Sequence, residues 1–188
     1  ARPAARARNV DDRIAIARAQ HDAGDYHAAQ TLLVAAYAGS LARGVAAGQE
    51  ALWTLAWPDA FATERRAAMP PDAVIDPWLV ASILREESGY RREVVSVSGA
   101  VGLLQLMPDT AARLAPEAGV SDFAPARLVE PALNLRLGAF YLDRLARRLD
   151  QLLVLHARGA GGDAGHAAET LVEVTDHGGV ERDGAVEV

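Results

Sequence analysis

Glu87, in the run Glu86-Glu87-Ser88-Gly89, is a carboxylate at the end of an apolar stretch, and the loop of small residues after it ends on an amide, Gln105. Val80, Ile83 and Leu84 precede Glu87 by seven, four and three positions and so share its face of a helix. Apolar company of this kind disfavours the charged carboxylate and keeps the proton on it. A protonated carboxyl beside a glycosidic oxygen can hand its proton to the leaving group, which is the chemistry of a one-acid glycan-cleaving site. Glu86 competes for the role, because Leu79 and Ile83 lie on its face, and periodicity leaves the two open. A glutamate at a helix end more often faces water. What favours chemistry here is the loop that follows. Ser96, Ser98, Gly99, Ala100 and Gly102 let backbone pass close to a ligand. Gln105 can donate and accept hydrogen bonds, and Leu103, Leu104, Leu106 and Met107 supply apolar walls.

The elements that must hold these groups read as helices. Asp76-Pro77 is a helix start, because Asp accepts from free backbone N–H groups and proline loses nothing at the first helical position. That helix should run from Pro77 to about Ser88, with Gly89 closing it. Pro108 opens another, to about Leu114. A third begins at Pro131 and carries Leu135, Gly138, Leu142, Leu145 and Leu149 as a buried stripe about five turns long. Upstream, a helix from Val10, a break at Ala23-Gly24-Asp25 and a second helix through Ala36 form an αα-hairpin, the unit that helical repeat arrays stack. A further helix is expected from about Ala42 to Ala56, stopped by Trp57-Pro58, with residues 59–71 as a linker. No stretch alternates with period two, so an all-α chain is expected.

At 188 residues the chain can hold one substantial domain, or one and part of another. It is 51% hydrophobic and only 5% aromatic, with much alanine and leucine, which favours helices. It has no cysteine, so disulfides and thiolate metal sites are excluded. The net charge is −6, and most of it falls in residues 151–188, where 2 Arg meet 7 acids; residues 1–150 hold 17 Arg against 18 acids. No basic footprint for nucleic acid is present. The apolar runs are too short to span a membrane. The start at Ala1, without Met or an apolar leader, reads as a fragment or a mature product.

Glu87-Ser88, Ser96, Gly99-Ala100, Gly102-Leu103, Gln105, Met107-Pro108 and Thr110-Ala111 together resemble the soluble lytic murein transglycosylases, with Leu104 in place of the usual Met. Asn134-Leu135, Leu137-Gly138 and Tyr141-Leu142 resemble a second motif of that family, so the likeness covers about residues 72–150. The resemblance implies an all-α fold: a lysozyme-like (goose-type) helical catalytic domain at 70–150, preceded at 1–69 by the end of an α-superhelical repeat and linker region. It chooses Glu87, the Glu directly before Ser, as catalytic acid, and places Ser96, Gln105 and Met107 in the sugar cleft. The implied substrate is the peptidoglycan glycan strand. The bond between N-acetylmuramic acid and N-acetylglucosamine is cut with a 1,6-anhydro end, without metal or other cofactor, in the bacterial periplasm or at the cell envelope.

The chain departs from the family after Tyr141. The expected Ala-Tyr-Asn-Ala-Gly motif, whose Tyr helps to orient the acid, is missing, and no Tyr or Asn follows Tyr141. Residues 151–188 hold 7 of the 16 Gly and read as an acidic, flexible tail, from divergence, truncation or a slipped reading frame near 150. His156, His166 and His177 match no common metal-ligand spacing. A hydrolysing lysozyme of the same fold and a catalytically impaired murein-binding module are the alternatives.

Overall fold

The computed structural model of the chain describes residues 9–44 and 47–159. Its contacts divide the chain into two units, Ala1–Asp143 and Arg144–Val188, and the site lies within the first. The described residues form seven α-helices: α1 (Val10–Asp22), α2 (Tyr26–Leu41), α3 (Glu50–Ala56), α4 (Ala62–Ala68), α5 (Pro77–Ser88), α6 (Pro108–Leu114) and α7 (Pro131–Gly159), with a 3-10 turn at Pro125–Val129 before α7. Among the described residues, extended pairing is confined to single-residue antiparallel bridges, Val95 with Val101 and Val101 with Leu106, which pin the loop between α5 and α6.

Local chemistry sets the helix ends that matter. Asp76 Oδ1 accepts from the Trp78 backbone N–H at 2.7 Å at the start of α5. Gly89 closes that helix in the left-handed region at φ 55°, its N–H donating to the Arg85 carbonyl. Asn9 and Asp25 cap α1 and α2 in the same side-chain fashion.

Two stretches differ from the sequence reading. The helix expected from Ala42 begins only at Glu50, because Gly44 and Gly48 take left-handed φ of 89° and 79° and carry the chain through turns. Within the expected linker, residues 62–68 are helical. Arg65 of α4 is buried there, donating to the Ala60 carbonyl at 3.0 Å and pairing with Asp59. A buried, hydrogen-bonded arginine gives a short charged segment a reason to stay helical that composition does not display.

Hydrophobic packing among the described residues of the first unit includes two clusters. One joins α1, α2 and α3 through Ala17, Ala29, Leu33, Leu41, Leu52, Leu55 and Ala56. The other joins the site loop, α6, the 3-10 turn and the first turns of α7 through Leu106, Ala111, Leu114, Leu128, Leu133 and Leu137. The stripe expected along α7 is buried at Leu135 and Gly138, half-buried at Leu142 and exposed at Leu145 and Leu149. Helical spacing marks a face. Only packing partners decide how far along that face burial runs. The helix continues to Gly159, so residues 151–159, read from sequence as the start of a flexible tail, are helical and His156 falls within α7; residues 160–188, with His166 and His177, lie outside the described residues.

Candidate active site

Helix α5 carries two adjacent stripes. Val80, Leu84 and Ser88 are buried, and the Ser88 hydroxyl donates back to the Leu84 carbonyl at 3.0 Å. With that stripe anchored, Ile83 and Glu87 project beside it into a pocket of about 260 Å³. Glu86, one position earlier, turns the other way. Its carboxylate pairs with Arg85 Nε at 2.8 Å and lines a separate recess with Val34 of α2 and Trp57. The two glutamates that periodicity could not separate therefore sit in different recesses.

The Glu87 carboxylate is exposed, and among the described residues it accepts no hydrogen bond and forms no ion pair. The desolvation expected from the apolar face is thus not in place. Val80 and Leu84 point into the core and only Ile83 borders the acid in the pocket.

Gln105 and Met107 line the same pocket, with Leu104, Thr110, Gly138, Tyr141 and Leu142. Gln105 sits in the left-handed region at φ 45°, and its Nε2 donates to the Gly102 carbonyl at 2.9 Å and to the Val94 carbonyl at 3.2 Å. Both amide hydrogens are thereby committed to backbone, so Gln105 meets a ligand as an acceptor, not as the donor-acceptor pair expected from its type. Met107 is 42% exposed and stands where the loop turns into α6. Ser96 is not brought to this pocket. Its hydroxyl accepts from the Ala100 N–H at 2.9 Å and bonds the Ser98 hydroxyl at 2.9 Å, which closes the turn of the loop.

The loop is clamped from below by Asn134 of α7, which is fully buried. Its Oδ1 accepts from the Leu104 N–H at 2.8 Å, and its Nδ2 donates to the Val101 and Leu128 carbonyls, both at 2.9 Å. Gly102, at φ 80°, lies so close that a Cβ there would overlap Asn134 Nδ2 and the Leu128 carbonyl. Gly138 is likewise where Leu104 packs on α7. Asn134 and Gly138 were visible in the sequence as motif members, but their work as a clamp and a close-approach point was not. Tyr141, three residues beyond Gly138 on the same face, is the pocket aromatic that the loop motif did not announce.

Just past the end of α5, Tyr90 is 7% exposed and adopts φ 68°. Burial pushes its phenol up from 10.0 to about 12, although Arg85 acts in the opposite direction. Unfolded chain loses this proton first as pH rises, so the stability it contributes is intact below pH 10 and is lost between about pH 10 and 12. Thermal melting across that window should fall less steeply for Tyr90→Phe than for the parent; equal slopes would contradict the assignment.

The fold is that of the lysozyme-like helical lytic transglycosylases. Over 77% of this chain and 22% of that one, it superimposes on the 70 kDa soluble lytic transglycosylase of Escherichia coli with TM-score 0.61 and 21% identity. An inactive mutant of the Pseudomonas aeruginosa lytic transglycosylase Slt matches over 92% of this chain and 26% of its own, with TM-score 0.60 and 24% identity. The family model described as Transglycosylase SLT domain matches residues 71–169, and the chain belongs to that family. It is 41% identical over 78 residues to the endo-type membrane-bound lytic murein transglycosylase A of Klebsiella pneumoniae, covering 38% of this chain and 36% of the relative. It is 39% identical over 63 residues to the soluble lytic murein transglycosylase of Salmonella typhimurium, covering 33% of this chain. The chain thus spans about a third of the first relative's length and a tenth of the second's.

Proposed function

We propose that the chain cleaves peptidoglycan as a lytic transglycosylase, cutting the β-1,4 bond between N-acetylmuramic acid and N-acetylglucosamine, with Glu87 as its catalytic acid. The observation that carries this reading is the Glu87 carboxyl, the one carboxyl among the described residues lining a mostly apolar pocket that it shares with Gln105 and Met107, in a member of the SLT family. Glu87 gives its proton to the bridging oxygen as the bond from that oxygen to C1 of the muramic residue breaks. The substrate's N-acetyl group stabilises the cationic C1, a form of substrate assistance that removes the need for a second carboxylate. The Glu87 carboxylate then takes the proton of the C6 hydroxyl, and O6 closes on C1 to give the 1,6-anhydro ring. The acid ends the cycle protonated, and no water is consumed.

Substrate in the pocket supplies the desolvation that the open site lacks, by covering Glu87 between Ile83 and the sugar. Gln105, with its nitrogen held by backbone, accepts from a sugar hydroxyl or acetamido N–H, and Met107 offers apolar contact. Ser96 acts at one remove, through the turn it closes.

Residues 70–150 are assigned as the catalytic segment and residues 1–69 as the end of a helical repeat region, a reading supported by the packed α1, α2 and α3. An enzyme of peptidoglycan acts where that polymer lies, and on this reading we assign the protein to the bacterial cell envelope, in the periplasm. No helix among the described residues is long and apolar enough to cross a membrane. Mass spectrometry of peptidoglycan digested by this chain should give 1,6-anhydromuramoyl ends. Reducing ends would instead mean hydrolysis, and binding to murein sacculi without any release would mean a binding module.

A further inference from the structure

Outside the segment matched by the family model, the first turn of α2 reaches the end of the helix that carries Glu87. His27 Nδ1 lies 2.9 Å from the carbonyl oxygen of Gly89. A carbonyl has no proton to give, so the contact requires the proton on Nδ1, with the ring donating. The approach is close: a Cβ on Gly89 would lie 3.1 Å from His27 Nδ1. Gly89 and Tyr90 are consecutive left-handed residues, at φ 55° and 68°, that end α5 two positions after Glu87. The peptide between them is the one His27 holds. The neighbouring side chain, Tyr26, stacks edge-on with Phe61 at 5.3 Å and with Tyr90 at 6.3 Å between ring centres. One turn of α2 thus grips this helix end twice, by a hydrogen bond and by an aromatic cluster. The acid itself has no side-chain partner among the described residues, so its direction is set by the backbone of that last turn.

We propose that His27 is a positioning residue for Glu87: by donating to the Gly89 carbonyl it holds the last turn of α5 in register, so that the N-terminal helical hairpin takes part in aiming the acid. The catalytic side of this inference rests on the reading of Glu87 as the acid. The hydrogen bond and its effect on the helix end do not.

The test compares His27→Ala, which removes the donor, with His27→Asn, whose side-chain N–H stands close to where Nδ1–H was. On peptidoglycan, kcat per folded molecule of His27→Ala should fall about tenfold at nearly unchanged KM, since small misplacement of a reacting group is costly. His27→Asn should recover most of that loss. A residue that only supports the fold would lower the melting temperature and leave kcat per folded molecule alone. Hydrogen exchange of the Gly89 and Arg91 amides supplies a readout independent of activity. It should speed up in His27→Ala and return in His27→Asn. Unchanged kcat in His27→Ala, or an Asn variant no better than Ala, overturns the positioning role in an active enzyme. If the parent releases no muropeptides, the proposed function fails and the exchange result alone decides the role of His27, unchanged exchange refuting it.

Discussion

Glu87→Gln is expected to lower release of 1,6-anhydro muropeptides by about 10²- to 10⁴-fold, the usual span for a lost general acid or base, and toward the upper end because one carboxyl serves both steps. The substitution keeps the shape of the side chain and removes both the transferable proton and the basic oxygen that receives one. The fold should not notice it. Glu87 is exposed and forms no hydrogen bond or ion pair among the described residues, and changes at such positions stay within about 0.5 kcal/mol. Glu86→Gln is the matched control, since that carboxylate pairs with Arg85 in another recess. It should keep full activity. An active Glu87→Gln, or an inactive Glu86→Gln of unchanged melting temperature, would transfer the acid role away from Glu87.

Asn134→Leu should have the largest effect on stability. Leucine keeps the branched outline and leaves no cavity, but its methyls are too large for the 2.8–2.9 Å contacts, so crowding adds to the lost hydrogen bonds. The Leu104 N–H and the Leu128 carbonyl would lose the partner Asn134 now gives them where little water can replace it, while the Val101 carbonyl would lose one of two donors and keep the Leu106 N–H. At about 1–3 kcal/mol for each unsatisfied group, the sum is at least about 2 kcal/mol. Domains are held by only about 5–15 kcal/mol in all. Urea unfolding should therefore show a much lower midpoint. Activity should fall further than the folded fraction does, because the released loop carries Gln105 and Met107. A loss of unfolding free energy below about 1 kcal/mol would mean that the loop holds its shape without the clamp.

The motif spacing from Glu87 to Thr110 was legible because each residue works where it stands in the chain. A cap, a left-handed glycine or a loop of small residues acts within a few positions, and sequence displays such local chemistry directly. The bounds of α5 and α6 followed from Asp76-Pro77, Gly89 and Pro108 for the same reason. The structure does not bring the four residues chosen as a site to one place. Glu87, Gln105 and Met107 meet in one pocket, whereas the Ser96 hydroxyl is taken up by its own loop. A serine's type announces a hydroxyl but not which neighbour will claim it.

Sequence by itself determined the helical class, the ends of α5 and α6, the one-acid motif and the family it resembles, because these depend on residue type and near neighbours. Tertiary structure alone decided which way Glu86 and Glu87 diverge, and that the apolar face beside Glu87 leaves it open to water. It also decided that Gln105 offers only its oxygen, and that Asn134 and His27 hold the loop and the helix end from 30 and 62 positions away. The physical reason is reach. Burial and hydrogen-bond competition are settled by groups distant in the chain, and periodicity has no record of which of them arrives first.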